Sequence, residues 1–232
     1  MVYKENIISF LQLGLVNPQL MLLAWKLKKS KHTYLSYSTL YSLVKSFVDI
    51  NKHSSHPLQV AEFGVGRGGS ATILAWLVNQ YNGKMTLFDI FGRIPAPSQQ
   101  DGVKALNRYE FIIKQEKEDY YGNINDLLNV ILSDLHKICQ PERIEIVKGK
   151  YEDVLPILKD DREFDLVHID CDWYESSMVV YTYLQNRLRP GAIIQVDDYS
   201  NWEGSKRAYQ ETAWLTACPT HLVDGALVIV TS

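Results

Sequence analysis

The chain has 232 residues, 46% of them hydrophobic, enough for one large domain with a substantial buried core. Its 24 basic and 27 acidic residues leave a formal charge of −3, which gives no general attraction for a phosphate backbone and argues against nucleic acid as a partner. Cys139, Cys171 and Cys218 are odd in number and widely spaced, matching neither a disulfide framework nor a zinc pattern, so a reducing, cytoplasmic setting is expected.

Residues 1–56 carry helical spacing, with Leu20, Leu23, Ala24 and Leu27 on one stripe and Leu40, Leu43, Val44 and Phe47 on another. The apolar run 7–16 follows Lys4-Glu5-Asn6, a poor basic leader, and reaches no membrane length. It reads as an amphipathic helix, and no membrane contact is expected. The segment is an N-terminal helical cap, and most of its aromatics (Tyr34, Tyr37, Tyr41) should pack onto the body that follows.

That body, residues 57–232, alternates short apolar runs with longer amphipathic ones, the mark of βαβ units and a mainly parallel sheet. Strands are predicted at 58–63, 84–89, 143–148, 164–170 and 192–197, and helices at about 70–81, 152–158, 175–188 and 204–216. Residues 221–223 and 226–230, joined by Asp224-Gly225, read as a β-hairpin that closes the sheet with an antiparallel strand.

Where the first strand meets the first helix of the sheet, Val60-Ala61-Glu62-Phe63-Gly64-Val65-Gly66-Arg67-Gly68-Gly69-Ser70 sets one carboxylate and four glycines. Such a turn lets backbone approach a ligand closely and aims free helix-terminal amides at it. The spacing Gly64-x-Gly66-x-x-Gly69 also fits a dinucleotide fingerprint, with Asp89 at the distance where an acid for a ribose hydroxyl belongs. Glu62 tips the balance, because a carboxylate facing that cleft would repel a pyrophosphate. It suits a cationic ligand such as S-adenosylmethionine, with its ammonium and sulfonium.

A long insertion, about 90–142, opens with Phe91-Gly92-Arg93-Ile94-Pro95-Ala96-Pro97-Ser98, whose prolines preclude a helix there. It reads as a lid, with Gln99-Gln100-Asp101 and Tyr120-Tyr121-Gly122 available to face a hydroxylated substrate. Further on, the fourth strand ends His168-Ile169-Asp170-Cys171-Asp172-Trp173-Tyr174-Glu175 and the fifth ends Val196-Asp197-Asp198-Tyr199. Both ends open on the edge of the sheet that carries the glycine turn, so Asp170, Asp197 and Asp198 can converge. Carboxylates at short range need a compensating cation, and an all-oxygen set suits a hard ion such as Mg²⁺. Asp172 is the reserve ligand, and His168 is expected to be a core histidine.

These motifs, with Gly149-Lys150-Tyr151-Glu152-Asp153-Val154-Leu155-Pro156 and Arg189-Pro190-Gly191, resemble the macrocin-type sugar O-methyltransferases of macrolide and related antibiotic pathways. The resemblance covers roughly residues 60–210. It implies a Rossmann-like class I methyltransferase fold with seven strands, S-adenosylmethionine and Mg²⁺ dependence, a hydroxyl acceptor on a sugar-bearing or polyketide-type natural product, and a homo-oligomer. Cys171 stands where the family usually has glycine, and Gly66 replaces a bulkier residue. On this reading the turn residues Gly64, Gly66, Gly68 and Ser70 cradle the cofactor. Glu62 holds its methionyl end, Asp89 its ribose and Tyr151 its adenine. Asp170, Asp197 and Asp198 bind the metal, and Asp170 is the candidate base. The alternatives are a nicotinamide-dependent oxidoreductase, favoured by the literal glycine spacing, a binding protein that kept the fold without the activity, and a cephalosporin-hydroxylase-like member of the same fold.

Overall fold

In a computed structural model, which describes residues 2–114, 126–158 and 161–231, three helices precede the sheet: α1 (Val2–Val16), α2 (Pro18–Lys29) and α3 (Tyr37–His53). Local signals set their starts. The Asn17 side chain accepts from the Gln19 N–H ahead of a proline-started α2, and the Ser36 hydroxyl accepts from the Thr39 N–H at α3.

The sheet strands are β1 (Gln59–Phe63), β2 (Lys84–Asp89), β3 (Ile144–Lys148), β4 (Phe164–Ile169), β5 (Leu188–Val196), β6 (Thr220–Val223) and β7 (Ala226–Val230). Their order is β3-β2-β1-β4-β5-β7-β6, parallel from β3 through β5, with β7 antiparallel to β5 and to β6. The hairpin turn takes positive φ at both Asp224 and Gly225, which matches the right-handed twist of its strands. The helices between strands are α4 (Gly69–Gln80), α5 (Gly102–Lys114), α6 (Leu127–Leu135), α7 (Tyr151–Val154), α8 (Tyr174–Leu184), α9 (Glu203–Glu211) and α10 (Ala213–Thr216).

Strand alternation divides the core in two. Val60, Met85, Leu87 and Leu166 face one side and bury Leu20, Leu43, Phe47, Leu74 and Ile131 of α2, α3, α4 and α6. Ala61, Phe63, Phe88, Val167 and Ile194 face the other and meet α7–α10. The N-terminal helices therefore share the core of one sheet face rather than forming a separate body.

Three expectations change. The helix expected at 175–188 ends at Leu184, because Leu188 already pairs with Phe164 as the first residue of β5. The helix expected at 204–216 breaks at Thr212 into α9 and α10. The insertion is only partly a lid: its prolines do keep 91–98 out of helix, but α5 and α6 follow. The α6 residues Leu127, Ile131 and Leu135, spaced four apart, are core residues packed against α4. That spacing was readable, and the Pro-rich opening masked it. Tyr120-Tyr121-Gly122 lies outside the described residues.

At the edge of the sheet away from the glycine turn, buried Asp165 accepts from the Gln59 N–H at 2.7 Å, the Arg189 guanidinium at 2.9 Å and His56 Nε2 at 3.0 Å. It ties the entries of β1, β4 and β5 together. Replacing Asp165 by Ala orphans these donors and should cost about 2–3 kcal/mol in urea denaturation. Cofactor affinity of the folded protein should not change.

Candidate active site

The cavity lies beyond the C-terminal ends of β1, β2, β3 and β4, where an open α/β sheet holds its ligands. Gly64, Asp89, Tyr151, Asp170, Asp172 and Trp173 are among its lining residues. Gly64 has φ +90°, and a β-carbon there would run into the Asp170 carbonyl, so this glycine permits β4 to end against the turn. Gly66, at φ +53°, differs: a β-carbon there would meet nothing, and its backbone borders the cavity.

Asp89 anchors the turn. One carboxylate oxygen accepts from Val65 N–H at 2.6 Å and Gly66 N–H at 3.3 Å, and the other from Phe91 N–H at 2.5 Å. Burial raises its pKa, against the pull of these three amides. The Tyr151 hydroxyl donates to the Phe88 carbonyl at 3.2 Å, which fixes the ring at the cavity wall.

Not every expected cofactor contact reaches the cavity. Gly64, Gly66, Asp89 and Tyr151 line it; Glu62, Gly68 and Ser70 do not. Gly68, in left-handed backbone, packs beside Ile131 at the start of α4, and Ser70 is buried in the first turn of that helix. Glu62 is fully buried on the face toward α3, because side chains alternate along β1 and the cavity opens only past the strand end. Its register neighbour on β4 is His168, whose Nδ1 lies 2.9 Å from Glu62 Oε1. Burial disfavours an imidazolium, but the Glu62 hydrogen bond and charge outweigh it and raise the His168 pKa. Gln195 continues the row on β5 and donates to the Thr39 carbonyl of α3. The expected core histidine is thus one member of a buried polar row.

Four carboxylates meet at the ends of β4 and β5. Oxygens of Asp170, Asp172 and Asp198 come within 4.8 Å of one another. The reserve residue Asp172 is in this group and Asp197, expected as a ligand, is not. The cause is local: Trp173 N–H donates to the Cys171 carbonyl at 2.6 Å, a tight turn that puts Asp172 at φ +57° and returns its carboxylate to the group. Asp197 is compensated instead by the charges of His168 and Lys28.

The carboxyls of Asp170 and Asp172 are pushed well above the usual range by burial and then by Asp198. Asp197 is pushed up to about 7 by burial and then by Asp198. Asp198 Oδ2 is buried without a hydrogen-bond partner among the described residues. A partly buried, all-oxygen group that resists ionisation and holds an unpartnered oxygen fits a hard divalent cation.

The insertion is fastened above this group. Trp173 Nε1 donates to the Pro95 carbonyl at 3.0 Å, and the buried Asp101 carboxylate accepts from Tyr174 N–H at 2.6 Å and from Ser98 N–H at 2.8 Å. Asp101, expected among lid groups facing a substrate, is therefore a structural pin, although it touches the cavity wall.

A seven-stranded sheet with this order, a glycine turn after its first strand and a carboxylate group after its fourth and fifth define a class I methyltransferase. The chain belongs to the methyltransferase-domain family, whose model matches residues 61–199, and it is an enzyme that uses S-adenosylmethionine. It is 24% identical over 189 residues to demethyldecarbamoylnovobiocin O-methyltransferase of Streptomyces niveus, covering 78% of this chain and 67% of that one. The O-methyltransferase NovP superposes with a TM-score of 0.71 at 18% identity, over 87% of this chain and 82% of NovP. CalS11, a calicheamicin methyltransferase, gives 0.67 at 18%, over 92% and 93%. The family resemblance read from the motifs points to the same group, and the oxidoreductase alternative falls away.

Because Gly66 faces open space at the cavity, Gly66→Ala should lower the melting temperature by only a few degrees, the cost of a side chain at positive φ. S-adenosylmethionine affinity by calorimetry should drop at least about tenfold, since the added carbon intrudes on the ligand's side of the turn.

Proposed function

We propose that the protein transfers a methyl group from S-adenosylmethionine to a hydroxyl of a sugar-bearing or polyketide-type natural product, with Mg²⁺ bound by Asp170, Asp172 and Asp198. The observation that carries this reading is the approach of those three carboxylates, two of which, Asp170 and Asp172, line the cavity that the glycine turn also borders. The relatives support the acceptor class. One is an O-methyltransferase of demethyldecarbamoylnovobiocin, and CalS11 is a TDP-rhamnose 3′-O-methyltransferase.

When bound, the cation supplies a Lewis acid that lowers the pKa of an acceptor hydroxyl. The chain's own groups do the rest. Gly64, Gly66, Asp89 and Tyr151 orient the donor, and orientation supplies much of the rate in a transfer between two held reactants. Asp170 faces the cavity within the group and takes the hydroxyl proton on its carboxylate. Trp173 and the segment it fastens keep water from the reacting atoms. Glu62 holds His168 in the core, and Asp197 flanks the metal group with its charge balanced by His168 and Lys28.

Asp198→Ala should abolish turnover and Mn²⁺ binding, measured by electron paramagnetic resonance, while S-adenosylmethionine affinity stays within about threefold. Asp172→Asn should weaken Mn²⁺ more than Asp197→Asn does. The reverse order would make Asp197 the third ligand, and turnover indifferent to chelator would remove the metal altogether.

The same carboxylates set a pH dependence. Their folded pKa values lie above the unfolded ones, so the metal-free fold binds more protons than the unfolded chain between about pH 4 and 7 and loses stability as pH rises through that window. Added Mg²⁺ should therefore raise the melting temperature more at about pH 8 than at about pH 5.

We also propose a cytoplasmic homo-oligomer. Ile7, Ile8, Leu11 and Leu15 of α1, with Leu22 and Trp25 of α2, expose apolar surface, Leu15 to 87%. A contiguous exposed apolar patch of this kind marks a surface that another protein copy covers. All three cysteines are free thiols, and among the described residues no helix is long and apolar enough to cross a membrane. Leu11→Glu with Leu15→Glu should reduce the mass measured by light scattering to that of one chain.

A further inference from the structure

The segment that joins α2 to α3, residues 30–36, is short and tied along its length. Lys31 takes left-handed backbone at φ +56°, which ends α2, and His32 N–H reaches back to the Leu27 carbonyl at 2.9 Å. Leu35 N–H donates to the Thr33 hydroxyl at 3.1 Å, and the Lys28 ammonium donates to the Leu35 carbonyl at 2.5 Å. The Ser36 hydroxyl then starts α3. With Thr33 and Leu35 buried as well, the segment has little freedom to yield to a neighbour.

That neighbour is the glycine turn. Gly69 is the first residue of α4 and its φ is not positive, so alanine would ordinarily suit the position better. The connector is what excludes a side chain: a β-carbon on Gly69 would lie 2.5 Å from both the His32 carbonyl oxygen and the Thr33 β-carbon. At the other end of the turn, Gly64 meets the Asp170 carbonyl, past the end of β4, in the same way. Between the two, Gly68 N–H closes the turn on the Val65 carbonyl at 2.8 Å, and Gly66 opens on the cavity. The turn is therefore held between the connector and a strand end, with no flexible side chain to absorb a shift of either.

We propose that residues 32–35 are a positioning segment for the cofactor. Seated on Gly69, they keep the glycine turn in the shape that S-adenosylmethionine binds, and cofactor binding in turn keeps the N-terminal helices seated on the sheet. The second effect follows from the first, because a coupling between two equilibria acts equally in both directions. None of residues 32–35 lines the cavity, so the segment acts through the turn and not on the ligand. The proposal rests on S-adenosylmethionine as donor and holds with or without a metal.

The test loosens the connector without touching the turn. Thr33→Val keeps the branched shape against Gly69 and removes the acceptor of the Leu35 N–H. Its dissociation constant for S-adenosylmethionine, by calorimetry, should rise about 5- to 10-fold, while kcat at saturating cofactor stays within about threefold, because saturation restores the seating. Asp165→Ala, destabilised at the opposite edge of the sheet, should keep wild-type affinity, which separates positioning from lost stability. Wild-type affinity in Thr33→Val would overturn the proposal. Gly69→Ala should bind the cofactor at least about tenfold more weakly; a higher melting temperature with wild-type affinity, the result if helix preference alone counted, would also overturn it. In the wild type, saturating S-adenosylhomocysteine, the product left after methyl transfer, should slow hydrogen exchange of the Leu35 amide at least about tenfold. A Leu35 amide that ignored the ligand while amides 65–70 slowed would end the proposal, and this arm and Thr33→Val decide it even where Gly69→Ala does not fold.

Discussion

Asp170, Asp172, Asp197 and Asp198 are carried to one edge of the sheet by β4 and β5, and their mutual repulsion in a partly buried setting is the constraint that the surroundings answer. Two unit charges about 5 Å apart repel by roughly 3 kcal/mol at an effective dielectric constant near 20. Three such pairs, all ionised, would consume most of the net stability of an ordinary domain, about 5–15 kcal/mol. The group must therefore take up protons or hold a cation. The compensation the chain supplies is one-sided: His168 and Lys28 act on Asp197. What stays uncompensated is the cavity side, where a divalent ion and a hydroxyl would meet.

The rest of the fold holds that edge in place. Asp89 spends its carboxylate on the amides of the glycine turn, so the turn keeps its shape before any ligand arrives. Asp101 and Trp173 hold the insertion against the start of α8. Each of these hydrogen bonds holds one segment to another before any ligand arrives. Preorganisation here is distributed over contacts that never touch the reacting atoms.

The N-terminal helices belong to the same account. They complete one face of the core and also reach the site, since α3 accepts a hydrogen bond from Gln195, at the end of the Glu62–His168 row, and α2 brings the Lys28 charge toward Asp197. Within this row, buried across three strands between sheet and helices, Glu62 and His168 pair and Gln195 bonds α3, while Glu62 Oε2, His168 Nε2 and Gln195 Oε1 have no hydrogen-bond partner among the described residues. The row makes the helices part of the electrostatic environment of the site.

Much of this was legible in one dimension. Strand positions, the parallel sheet with its terminal hairpin, the glycine turn and the acidic strand ends follow from period, turn chemistry and residue type, which are local properties. Asp170 and Asp198 were legible as neighbours because parallel strands open on one edge. The exchange of Asp172 for Asp197 was not, because a three-residue turn with Asp172 in left-handed backbone redirects its carboxylate. Glu62 points away from the expected cleft because alternation along β1 puts it on the face with Val60, and only the packed sheet decides that α3 covers that face. The pin at Asp101 arises from a contact between segments far apart in the chain, so it exists only once the tertiary structure brings those segments together.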